Sequence, residues 1–135
     1  MAQGLLRAAL GPGCPIGSAG IGAQPGYAPH PIAVNLMAER GIDITAWRSC
    51  RATPEMILAA DLILVMERDQ KRWCEAMAPA ARDRTHLLGC WLPPDRQEVP
   101  DPMGQERKAF IQVFAQILEA VETWLPRLNP LRDLP

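Results

Sequence analysis

The sequence predicts an α/β protein, a parallel sheet covered by helices on both faces. Three observations carry that prediction. Leu62 to Met66 is an unbroken apolar run of strand length. A strand solvated on one face would alternate, so this one should be buried on both. Charged residues bracket it, Asp61 before and Glu67, Arg68 and Asp69 after, which favours a short strand over a piece of buried helix. Amphipathic helical patterns lie on either side of it. Strands alternating with helices make a parallel sheet, and function in such folds sits at the carboxyl ends of the strands.

Length and composition fit one domain over 1–135. The chain has 135 residues, 48% of them hydrophobic, enough for a sizeable core. A formal net charge of −1 gives no electrostatic case for nucleic acid or an anionic membrane. No apolar run approaches the ~20 residues of a membrane helix, and the N-terminus does not read as a signal peptide. Cys14, Cys50, Cys74 and Cys90 form no C-x-x-C pair, and the only histidines are His30 and His86. The pattern predicts no metal site and no cofactor. Scattered cysteines without a signal peptide fit a reducing cytoplasm.

The elements follow in order. Ala2 to Leu10 reads as a helix with Leu5, Leu6, Ala9 and Leu10 on its apolar side, ended by Gly11-Pro12-Gly13. Its pattern starts at once, with no residue ahead of it to cap the free N–H groups. That fits either a frayed terminal helix or a missing upstream segment. Cys14 to Gly22 reads as a short strand near Pro15–Ala19 entering a glycine-rich turn, without the G-x-G-x-x-G of a dinucleotide site. Gln24 to His30 is a loop. Pro31 opens a helix at its favoured first position, with Ile32, Leu36 and Met37 as the buried stripe and Gly41 as its left-handed terminator. Arg48 and Arg51 lie in a solvated loop. Thr53-Pro54-Glu55 starts a short helix: cap, proline, first-turn acid.

The central strand, Asp61–Met66, comes next. Glu67 to Met77 is a helix with Trp73 and Met77 at core spacing, and Thr85–Leu88 is another strand. A loop rich in proline and charge, Cys90 to Pro100, leads through Asp101-Pro102 to the last helix, about Gln105 to Leu125. Phe110, Phe114, Ile117, Val121, Trp124 and Leu128 form its core stripe.

The order of these pieces resembles the low-molecular-weight protein tyrosine phosphatases, closest to bacterial members that act on tyrosine autokinases of polysaccharide export. The resemblance rests on Ser18-Ala19-Gly20-Ile21-Gly22, Ala38-Glu39-Arg40-Gly41-Ile42, Ala60 to Glu67, Gly89-Cys90-Trp91 and Val99-Pro100-Asp101-Pro102. It covers nearly the whole chain and implies a three-layer α/β/α, flavodoxin-like doubly wound sheet. In that family the first strand ends in a C-x(5)-R loop followed by Ser/Thr-Pro. Its N–H groups, its arginine and the next helix N-terminus cradle a phosphate. The same field holds the cysteine as a nucleophilic thiolate. An Asp-Pro aspartate then protonates the leaving phenolate.

By this resemblance Asp101 is the general acid. Tyr27 and Met103 line the substrate slot, Met103 standing where most relatives have an aromatic residue. The substrate implied is a phosphotyrosine protein, with a bacterial tyrosine autokinase as the candidate partner. Met1 to Arg7 resembles the helix that directly follows the loop. The chain is therefore expected to begin just after the cysteine, the arginine and the Ser-Pro, without its first, central strand. That absence should leave a gap beside the Pro15–Ala19 segment or force it to pair directly with the central strand.

Cys90 and Arg96 do satisfy C-x(5)-R, but Pro93 and Pro94 offer no N–H, Trp91 and Leu92 are bulky, and Asp95 repels an anion. Where that pattern needs its arginine, Cys14 has Gly20, Cys50 has Met56 and Cys74 has Ala80. Three functional readings follow. One is a phosphotyrosine hydrolase acting through a phosphocysteine, for which this chain lacks the nucleophile. Another is a non-catalytic binding remnant. The last is an arsenate reductase on the same fold, which needs relay cysteines closer than Cys74 and Cys90, sixteen residues apart.

Overall fold

A computed structural model describes the backbone of residues 1–132 and the side chains of residues 1–128. Five α-helices are described: α1 (Ala2–Leu10), α2 (Pro31–Ala38), α3 (Pro54–Ala59), α4 (Arg68–Met77) and α5 (Arg107–Arg132). Two strands, β1 (Ile63–Val65) and β2 (Thr85–Leu87), pair in parallel with Ile63 opposite Thr85 and Val65 opposite Leu87. The starts of α2 and α3 are those the sequence signalled; α4 and α5 start at Arg68 and Arg107, just inside the Glu67 and Gln105 expected. The Thr53 side chain accepts from the Met56 N–H, and Pro31 and Pro54 occupy first turns. Gly41 has φ 75°, and the Ile42 N–H donates back to the Met37 carbonyl at 3.0 Å, closing α2.

The apolar run does face two cores. Leu62, Leu64 and Met66 pack with α1, α2 and α5, around Leu5, Leu6, Met37, Ile117 and Trp124. Ile63, Val65 and Leu87 point the other way, with Ile57 of α3 and Cys74 of α4. The period-two alternation of a strand thus divides one continuous apolar segment between two helical layers. This is the three-layer α/β/α arrangement.

Some expectations need correction. Pro15–Ala19 is not a strand. Only Gly20 beyond it makes a parallel bridge, with Arg51. Two of the segment's carbonyls are taken by side chains: Arg7 Nε donates to the Ile16 carbonyl at 2.8 Å, and the Cys50 thiol to the Ser18 carbonyl at 3.1 Å. Pro15 lacks an N–H as well, so the segment makes side-chain bonds in place of a ladder. It does not pair with β1, whose only ladder partner among the described residues is β2.

Met77 is 47% exposed, and Cys74 takes the buried place on α4. Ala33 replaces Ile32 in the buried stripe of α2, and Ala9 of α1 is exposed. The last helix passes Pro126 because Trp124 and Leu128 are both buried and bracket it. Proline removes one helical donor there, and burial of the neighbouring turns offsets that loss.

Candidate active site

The carboxyl end of β1 is built by hydrogen bonds from outside the strand. Gln70 Oε1 accepts from the N–H groups of Met66 (2.8 Å) and Glu67 (3.1 Å), and the Glu67 carboxylate accepts from the Gln70 backbone. This capping box starts α4 where β1 ends. The Met66 carbonyl accepts from the Val99 N–H at 2.9 Å, and Val99 is 2% exposed. The chain is thereby anchored two residues before Asp101.

Further anchors hold the approach. Gln116 Nε2 of α5 donates to the Arg96 carbonyl at 2.7 Å and the Glu98 carbonyl at 2.8 Å. The Glu98 carboxylate accepts from the Arg68 N–H at 2.8 Å. Beyond this clamp the loop is largely exposed. Asp101 is exposed, and its Oδ1 accepts from the Met103 N–H at 2.9 Å. That Asx turn, with prolines on both sides, fixes the carboxylate's direction without burying it.

Met103 shares this turn with Asp101 and is 60% exposed. Tyr27 lies on another loop and is 66% exposed; its N–H donates to Ser49 Oγ at 2.9 Å. That link to Ser49 was not legible in the sequence, nor were the glutamine clamps Gln70, Gln97 and Gln116. A glutamine in a polar stretch carries no periodic or motif signal.

The Cys90–Arg96 loop has the wrong polarity for an anion. Gln97 Nε2 donates to the carbonyls of Cys90 (3.3 Å) and Leu92 (3.1 Å), so those carbonyls converge inward. The N–H groups of Cys90, Leu92 and Arg96 are spent on the carbonyls of Leu87, Gly89 and Pro93. Arg96 pairs with Glu119 at 2.8 Å. Burial pushes the Cys90 thiol above its ordinary value, against weaker opposite pulls from Arg127 and Lys71. A thiol pushed up by burial, beside carbonyls turned toward Gln97, is poorly suited to act as a nucleophile or to cradle an anion.

A doubly covered parallel sheet with an Asp-Pro turn at a strand's carboxyl end defines the class: a doubly wound α/β domain, the kind that places its chemistry at the carboxyl ends of its strands. The chain belongs to the low molecular weight phosphotyrosine protein phosphatases, whose family profile matches residues 1–133. It is 41% identical over 131 residues to a probable low molecular weight protein-tyrosine-phosphatase, EpsP, of Ralstonia solanacearum, covering 97% of this chain and 88% of that protein. The low molecular weight protein-tyrosine-phosphatase Etp of Escherichia coli K12 is 33% identical over 125 residues, covering 93% and 82%. The crystal structure of the tyrosine phosphatase Wzb from Escherichia coli K30 with sulphate superposes with a TM-score of 0.86 at 31% identity, covering 94% and 87%. Among the described residues, no helix is long and apolar enough to cross a membrane.

Proposed function

We propose that this chain carries the acid half of a phosphotyrosine hydrolase, with Asp101 as the group that protonates the leaving phenolate. The observation that carries this reading is the Val99–Met66 hydrogen bond, which sets the Asp-Pro turn at the carboxyl end of β1. An exposed carboxylate aimed by two prolines and an Asx turn suits a proton donor that meets substrate at the surface. The nucleophile and phosphate-binding arginine of the family have no counterpart in these 135 residues. The chain alone therefore does not turn over aryl phosphates. A phosphotyrosine protein is the substrate class, with a bacterial tyrosine autokinase of polysaccharide export as candidate partner and the cytoplasm as its place.

The test joins a strand and C-x(5)-R-S-P loop ahead of Met1. That version should hydrolyse p-nitrophenyl phosphate by a vanadate-sensitive route. Asp101→Asn in the same background should slow it by ~10²–10⁴-fold, the usual range for a lost general acid. An unchanged rate would remove Asp101 from the mechanism.

A further inference from the structure

The loop carrying Tyr27 is fastened at both ends to one short segment. At its start the Gly20 N–H donates to the Cys50 carbonyl at 2.9 Å, and the Ala52 N–H to the Gly20 carbonyl at 2.9 Å. At its end the Gly26 N–H donates to the Ser49 carbonyl at 2.9 Å, and the Ser49 N–H to the Tyr27 carbonyl at 2.8 Å. The Ser49 hydroxyl bridges inward to the Gln24 carbonyl. A loop closed twice in this way is a firm platform, yet its side chains are left to solvent. Ile21 is 42% exposed and Tyr27 more so. Exposed apolar side chains on a fixed backbone suit contact with another chain.

The electrostatics are one-sided. No Asp, Glu, Lys or Arg occurs between Arg7 and Glu39, so the platform itself is uncharged. The segment it is fastened to carries Arg48 and Arg51, both exposed, on either side of the Ser49 clamp. Some surface cations are matched to acids, as Arg68 is to Glu98 and Arg96 to Glu119; among the described residues others, such as Arg40 and Lys108, are not. What sets Arg48 and Arg51 apart is their place beside the uncharged platform. Among the described residues neither Arg48 nor Arg51 stands in an ion pair. Arg48 Nη1 donates to the carbonyls of Thr45 (2.8 Å) and Trp47 (2.7 Å), which orients the guanidinium without neutralising it. The Arg51 side chain has no hydrogen-bond partner among the described residues. The nearest acids in sequence are Asp43, which accepts from Thr45, and Glu55, in the first turn of α3; neither is paired with Arg48 or Arg51 among the described residues.

We infer that the Tyr27 platform, with Arg48 and Arg51 at its edge, is the docking surface for an acidic segment of a partner protein. It selects substrates whose phosphotyrosine is flanked by glutamate and aspartate. The inference deepens the function proposed above and rests on it for the tyrosine-bearing nature of the partner. The acid preference stands on the two unpaired arginines. Rim charges of this kind raise encounter rate and choose among partners more than they add affinity. The preference should also fade with salt, because exposed pairs are screened.

The test is fluorescence anisotropy with the 135-residue chain and two labelled peptides at low ionic strength. One carries an unphosphorylated tyrosine among glutamates and aspartates; the other has glutamines and asparagines in their place. The acidic peptide should bind on the order of 3- to 10-fold tighter, the scale of two exposed ion pairs. Arg51→Ala should remove about half of that preference on a logarithmic scale, and Arg48→Ala with Arg51→Ala all of it. Arg72→Ala, whose charge is paired with Asp69, should leave it unchanged. If the Arg48 variant melts early, Arg51→Glu alone decides, since its side chain holds nothing in place; it should reverse the preference. Equal binding of the two peptides, no binding of either, or a preference that survives loss of Arg51 would overturn the inference. Failure of the phosphatase reading would show separately, as no hydrolysis by the loop-joined version, whatever the peptides do.

Discussion

The Val99 N–H meets the Met66 carbonyl at 2.9 Å, and this bond fixes where the Asp101 turn stands relative to the sheet. Met66 is the last residue of the apolar run, and Val99 lies in the long loop after β2. A bond between them carries the loop back over the end of β1, the edge where α/β folds place their chemistry. What shapes that loop also shapes the site.

Gly89 is one such element. A Cβ on it would come within 2.5 Å of the Gln97 carbonyl oxygen and 3.1 Å of the Gln97 Cα. Both are backbone atoms of the clamped loop, so a rotamer change offers no escape. Gly89→Ala is expected to cost ~1–3 kcal/mol, the usual range for forced overpacking. Thermal melting would show it. In the loop-joined version turnover should fall as well, because the Gln97–Val99 segment must shift.

Trp124 tests the other side of β2. Its indole N–H donates to the Leu88 carbonyl at 2.7 Å in a buried setting. Trp124→Phe keeps an aromatic ring and leaves that carbonyl unpaired. A loss of ~1–3 kcal/mol is expected for the orphaned acceptor, read as a lower denaturation midpoint with little change in the slope of the transition.

Cys74 predicts a pH dependence of stability. Burial, helped by the Glu75 carboxylate, holds its thiol above the ordinary value of 9.0. A raised folded value means the native state keeps its proton longer than the unfolded chain. The contribution is therefore complete below the ordinary thiol range and is lost as pH rises through the folded value. Between about pH 8 and about pH 10.5, a window spanning thiol ionisation, melting of the parent chain should fall more than that of Cys74→Ala. Parallel curves would assign the alkaline loss to other groups.

The sequence made the layers legible because the five apolar residues from Leu62 to Met66 have no solvated face to offer. Local stop and start signals were equally direct: Pro31, Gly41 and Thr53 each act through their own backbone chemistry. What failed depended on contacts between segments. Pro15–Ala19 has the look of a strand, but Arg7 and Cys50 occupy its carbonyls, and nothing in its own residues announces that. Met77 has core spacing on α4, yet the helix turns Cys74 inward instead. The last helix, expected to end near Leu125, runs on past Pro126, and Leu128, already in its apolar stripe, is buried beyond the proline. Asp101 was legible through its Asp-Pro setting and the resemblance it completes. The bond that positions it joins Val99 to Met66 across the fold and was not.

The most direct test is hydrolysis of p-nitrophenyl phosphate by the purified 135-residue chain, with and without vanadate, beside Cys90→Ser. In the function proposed, Asp101 is an acid without a partner nucleophile, and the Cys90–Arg96 loop presents carbonyls rather than N–H groups. Background turnover is expected, unaffected by vanadate and equal in the Cys90→Ser variant. Vanadate-sensitive turnover that Cys90→Ser abolishes would contradict that proposal, by showing that the Cys90–Arg96 loop is a phosphate cradle after all.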